Sequence, residues 1–180
     1  MTVPLTDDTA TQLQAAVSLV NSAVGTDTLT TLEDLDVWYA EHLHTGHRTA
    51  GEQELESVRA VRPILYELLS ADRDRAAEIV NELLAESGTT PQLVRHGSWD
   101  WHLHGVANDA DPATRIVVDT AMAMIDVVRD DELSRLGICA DEACEGIVLD
   151  LSRNRSKRFC STACGNRNAV AAYRARRARD

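Results

Sequence analysis

The 180-residue sequence predicts a mainly α protein: a helical N-terminal domain with one short β-hairpin, followed by a small C-terminal ββα module. Three observations carry this. Apolar residues recur at helical spacing through most of residues 1–136, which we assign to the first domain. Residues 90–106 interrupt that period with short alternating runs around Gly97-Ser98. All four cysteines fall in residues 137–180, the second domain, spaced C-x(4)-C, fifteen residues, C-x(3)-C.

In order along the chain, residues 9–24 carry Leu13, Val17 and Val20 on one helical stripe, widened by Ala16 and Val24, and Gly25 closes the helix. Thr30-Thr31-Leu32-Glu33 reads as a capping box that opens a helix through Leu35, Trp38, Tyr39 and Leu43. A loop with Gly46 and Gly51 follows. Residues 52–70 form the next helical stretch, with Pro63 predicting a kink or break. Asp72 caps a helix through Ile79, Val80 and Leu83 that Gly88 ends. The hairpin follows, its second strand running from Trp99 to His104. Asp111-Pro112 then starts a long helix, apolar on several flanks and expected to be central. Leu133, Leu136 and Gly137 lead into the cysteine module with almost no linker, which predicts a docked module.

The cysteine spacing points to zinc. Each close pair presents two thiolates from one tight local structure, and two such pairs complete a tetrahedron. The body contains no other cysteine, and no leader or membrane-length apolar run is visible, so a reducing, cytoplasmic setting without membrane insertion is expected. Cys139, Cys144, Cys160 and Cys164 are therefore the predicted ligands of one structural Zn2+. Cys139 and Cys144 bracket a polar turn. Ile147, Leu149 and Leu151 alternate on a first strand, and Lys157-Arg158-Phe159 is read as its returning partner. Ser161 is the candidate N-cap of a final helix that sets Cys160 and Cys164 one turn apart. Knuckle, hairpin and helix in this order describe a treble-clef-like zinc finger.

This stretch resembles the CGNR zinc fingers. Cys164-Gly165-Asn166-Arg167 spells their signature, and Asp150-Leu151-Ser152-Arg153-Asn154-Arg155-Ser156 is similar to their D-x-S-R-N-R-S segment. The resemblance implies an α-helical ABATE domain over the first 136 residues and a stress-induced transcriptional regulator.

Charge is unevenly distributed. Residues 151–180 hold nine Arg or Lys against Asp180 alone, net +8, whereas residues 1–150 hold nine basic residues against 28 acids, net −19. A basic tail on an acidic body is the footprint of a nucleic-acid contact that the sequence pI of about 4.9 conceals. Arg174, Arg176, Arg177 and Arg179 project from an alanine-rich helix slim enough for the major groove. Arg153, Arg155, Lys157 and Arg158 are candidate phosphate contacts beside it. Asn166 and Arg167 either contact nucleic acid or brace the knuckle. DNA is the expected partner. RNA or an acidic protein surface, docked by a finger of purely structural role, is the alternative. The oligomeric state stays open.

Strand alternation puts Trp99, Trp101 and Leu103 on one face of the hairpin and Asp100, His102 and His104 on the other. The tryptophans are expected to pack on the helices; a pocket for a small-molecule effector is the sharper reading. His42, His44 and His47, like His102 and His104, lack a Cys or acidic partner at a recognisable spacing and are read as surface or structural residues. No phosphate loop, nucleophile elbow or catalytic triad is evident, so no enzymatic activity is expected.

Overall fold

The computed structural model describes residues 5–42, 47–95 and 100–177. The expected positions Leu43, His44, Gly46, Gly97, Ser98, Trp99 and Arg179 lie outside them.

Helix α1 (Asp7–Asn21) starts where the Thr6 hydroxyl accepts from the Thr9 N–H, with Asp7 and Asp8 favourably placed at the positive end of the helix dipole. It stops three residues before Val24, and Gly25 turns the chain at φ 74°, a conformation glycine adopts without Cβ strain. Helix α2 (Leu32–Glu41) opens with a capping box made by Thr31 and Asp34, one residue later than Thr30 and Glu33. Asp34 wins because its carboxylate accepts from the N–H groups of both Thr30 and Thr31, at 2.9 Å each. Pro63 divides the next stretch into α3 (Glu52–Ala60) and α4 (Arg62–Ser70), sitting in the first turn of α4, where its missing N–H leaves no bond unmade. Asp72 caps α5 (Arg73–Glu86).

Helix α6 (Pro112–Arg129) is the axis of the body. Asp111 caps it, ten of its residues are buried, and α1, α3 and α5 pack around it. Leu13, Leu19, Leu35, Leu65, Leu68, Ile79 and Met124 fill the core almost without exposure. Such burial contributes about 1.5–3 kcal/mol for each large aliphatic side chain.

The hairpin is shorter than the sequence suggests. Strand β1 (Gln92–Val94) pairs antiparallel with β2 (His102–His104), Leu93 opposite Leu103, so residues 95–101 connect them in place of a two-residue turn. Its faces are also reversed from expectation. Leu93, Leu103 and Trp101 face solvent, Trp101 at 59% exposure, while His102 and His104 are half-buried. The end of the strand is held by Gly105, where a Cβ would come within 2.7 Å of Met122 Sδ on α6.

After a 3-10 turn (Leu133–Arg135), β3 (Leu136–Ile138) pairs antiparallel with β4 (Ile147–Leu149), and α7 (Thr162–Arg177) ends the described chain. The partner of β4 therefore precedes the first cysteine. Lys157-Arg158-Phe159 is not a strand but a segment tied to the knuckle by the Ala140 N–H donating to the Arg158 carbonyl at 2.8 Å. Ile147 and Leu149 belong to the main core, so the module is docked on the body. Asn21 completes the seam: its amide donates to the Ile147 carbonyl at 2.8 Å and accepts from the Ile147 N–H at 2.7 Å.

Candidate metal centre and basic surface

Four thiols converge where the β3–β4 turn meets the start of α7. The Cys139 N–H donates to the Gly146 carbonyl at 2.8 Å, closing the turn so that Cys139 and Cys144 face inward. Asp141 stiffens it by accepting the Ala143 N–H at 3.0 Å. On the other side the Ser161 hydroxyl accepts the Cys164 N–H at 3.3 Å at the helix start. Gly146 lets the halves approach: a Cβ there would lie 2.8 Å from Cys160 Sγ.

The Cys144–Cys160 and Cys160–Cys164 sulfur separations are 3.5 and 3.8 Å, and all four sulfurs lie within 4.8 Å of one another. Zinc–sulfur bonds of about 2.3 Å in a tetrahedron place sulfurs about 3.8 Å apart. The donor set thus fits one zinc ion, with both Cys139 and Cys164 buried. Burial pushes the Cys160 and Cys144 thiols up, and hydrogen bonding to Ser161 holds Cys164 down. Zinc binding by the set therefore displaces thiol protons.

The surrounding polar residues explain much of the motif. Arg167 Nε donates to Asp141 Oδ2 at 2.7 Å and Nη2 approaches Cys164 Sγ at 3.3 Å, so Arg167 braces the knuckle. Asp150 accepts the N–H groups of Ser152 and Lys157 at 2.8 and 2.6 Å; the Ser152 hydroxyl above all, then these bonds, holds its carboxyl below the usual range. Arg155, at φ 47°, donates to both oxygens of Glu132 at 2.8 and 2.6 Å. The Lys157 ammonium donates to the Leu149 carbonyl at 3.1 Å.

Arg155, Lys157 and Arg167, read from the sequence as nucleic-acid contacts, thus have internal partners that hold the module in shape. Arg153, Arg158, Asn166, Arg174, Arg176 and Arg177 are exposed. Arg158 lies over the Phe159 ring and Arg177 over Tyr173, at 5.8 and 6.0 Å from the ring centroids. Glu132 was missed by sequence reasoning. It sits in an acidic run, and nothing local distinguishes its buried carboxylate from exposed Asp130 and Asp131.

Residues 13–131 match the ABATE family, whose description reads "Putative stress-induced transcription regulator". The chain belongs to the ABATE family. Residues 135–177 match the CGNR zinc finger, so an ABATE body precedes a CGNR finger carrying the four-thiol centre. No protein of curated function matches the chain. No described helix of this ABATE protein is long and apolar enough to cross a membrane.

Proposed function

We propose that the chain is a cytoplasmic DNA-binding transcriptional regulator in which the CGNR finger grips the duplex and the ABATE body reads a signal or mediates assembly. The observation that carries this reading is α7. Every residue in 169–177 is exposed, so the helix stands clear of the fold, and its last turn bears Arg174, Arg176 and Arg177. Nine residues rise about 13 Å, and a slim alanine-rich helix suits a major groove about 12 Å wide. Arg153 and Arg158 supply further exposed guanidinium groups for phosphates. Bound zinc supplies a cross-link at the base of α7 and, with four thiolate ligands, leaves no open position for catalysis. No enzymatic step is assigned.

An open cleft of about 910 Å3 separates α1 and α2 from the finger, with Val17, Trp38, Leu149 and Lys157 in its wall. Body and finger both contribute to it, which makes it a better effector position than the exposed Trp101. The function is tested by gel shift of the zinc-loaded full chain on duplex DNA and structured RNA. Duplex binding is expected, and replacing Arg174, Arg176 and Arg177 together by Ala should abolish it with the melting temperature retained. Preference for RNA moves the reading to the RNA alternative. Binding to neither sends it to the protein-docking alternative, for which exposed Val170 and Tyr173 on α7 supply apolar contacts.

A further inference from the structure

Helix α7 presents a face that nothing else in the fold covers. Val170, Tyr173, Arg174 and Arg177 are spaced i, i+3, i+4, i+7 and so lie along one side of it. All four are exposed, Val170 at 48% and Tyr173 at 53%. Apolar and cationic anchors at this spacing are what a helix laid in an acidic groove offers. Arg177 lies over the Tyr173 ring, and among the described residues neither Arg174 nor Arg177 has an acidic partner.

Such a groove lies on the same molecule. The open cleft of about 910 Å3 between α2 and the finger is walled on one side by Asp34, Val37, Trp38 and Glu41, again the i, i+3, i+4, i+7 face of a helix. Its charged lining is acidic: Asp34, Glu41 and Asp150 against Lys157 alone. Val37 is 52% exposed. Exposed Glu33 and Glu41 stand one turn before and one turn after it, and among the described residues no salt bridge neutralises either. Asp36, by contrast, is paired with Arg48 at 2.8 Å. The chain's own α7 leaves the cleft open, since residues 169–177 are all exposed.

We propose that the occupant of this cleft is α7 of a second copy of the chain, in a reciprocal dimer where each copy gives its basic helix and receives the other's. The dimensions agree. Four residues of helix rise about 6 Å, which is the offset from Tyr173 to Arg177 and from Val37 to either glutamate. With Tyr173 seated beside Val37, Arg177 therefore meets Glu41 or Glu33 whichever way the two helices run. Charge selects the pairing: α7 belongs to the net +8 segment and α2 to the net −19 body, so α7 against α7, or α2 against α2, would be repulsive. The dimer gives the protein-docking alternative a definite partner and needs no nucleic acid, so it stands or falls apart from the duplex reading. Duplex DNA would compete with it for α7, and an effector in the cleft would compete for the groove.

The test is sedimentation equilibrium of the zinc-loaded full chain, free of nucleic acid, across a dilution series at low and at high salt. A monomer–dimer equilibrium is expected, its dissociation constant rising with salt. Tyr173→Ala should weaken association roughly tenfold or more. Two double variants carry the decision: Glu33→Arg with Glu41→Arg reverses α2, and Arg174→Glu with Arg177→Glu reverses α7. Each should be monomeric alone, because like charges then face each other. Their equimolar mixture should dimerise, because attraction returns at both contacts. All four side chains are exposed, so the melting temperatures should stay close to that of the unmodified chain. A chain that is monomeric throughout the series, a dimer indifferent to either reversal, or a mixture that stays monomeric overturns the proposal. Should a reversed variant misfold, amide hydrogen exchange of the unmodified chain decides. Protection gained on concentration in both 32–41 and 169–177 supports the dimer; protection in only one of them, or in neither, overturns it.

Discussion

Glu132 is the residue on which body and finger turn. Its fully buried carboxylate meets Arg135 Nε at 2.7 Å from its own turn and Arg155 from the finger loop. Removing one partner of a buried pair leaves the others desolvated and uncompensated, which costs about 3–5 kcal/mol. Glu132→Ala should lower the unfolding free energy by about that amount in urea titrations; Arg155→Ala, whose side chain is 28% exposed, should cost less. Asp119 works in the opposite sense. Its folded pKa of about 7 lies above the ordinary 3.8, so between about pH 4 and 7 the native state holds a proton that the unfolded chain has released. Stability contributed by this group therefore falls as pH rises through that window and stays low above it. Burial and Asp8 drive the shift, while Arg115 and His102 oppose it. Asp119→Asn should raise the melting temperature at pH 8 and leave it nearly unchanged at pH 4. A gain of up to roughly 4 kcal/mol corresponds to a three-unit shift.

Among the elements, the helices and the cysteine set were legible because each signal is local. Asp72, Asp111 and Pro63 act through the backbone within one turn, and thiol pairs in knuckles report their own geometry. The strands were less legible. Leu136-Gly137-Ile138 is too short to show alternation, so the sequence alone pairs the Ile147 strand with Lys157-Arg158-Phe159, whereas its partner lies across the knuckle. The hairpin faces differ from expectation because hydrophobicity alone places Trp101 and Leu103 inward, whereas both are exposed and His102 and His104 are half-buried. The true position of β4 changes what metal removal should do. Since Ile147 and Leu149 share the body's core, chelation should collapse the knuckle, fray α7 and lower the melting temperature of the helical body as well. Circular dichroism melts with and without chelator measure this. An unchanged body transition would mean that β4 holds its place without the metal.

At the scale of the whole molecule the proposed function meets a difficulty of charge: to bind DNA, a chain of net −11 would have to approach a polyanion. The finger cannot swing away from its acidic body, because β4 is packed in the core, Asn21 holds Ile147, and Glu132 holds Arg155. A finger cut out at residue 137 would lose Glu132 and expose Ile147 and Leu149, so the intact chain is the proper test object. In it, on the proposed reading, the body's field should oppose binding at low salt, and the exposed guanidinium groups of Arg153, Arg158, Arg174, Arg176 and Arg177 should provide the attraction. Each phosphate neutralised contributes about −0.9 to the slope of log affinity against log salt, so five contacts give roughly −4 to −5. Arg174→Ala and Arg177→Ala should each make the slope shallower by about one if they meet phosphates, or lower discrimination at one base pair by roughly 1–3 kcal/mol if they meet a base edge. Arg155→Ala provides the contrast. Its guanidinium is committed to Glu132, so it should lower stability while leaving the slope of the folded fraction unchanged. Fluorescence anisotropy across a salt series separates these outcomes. A slope that responds to Arg155 and not to Arg174 or Arg177 would move the contact surface from α7 to the loop beside β4.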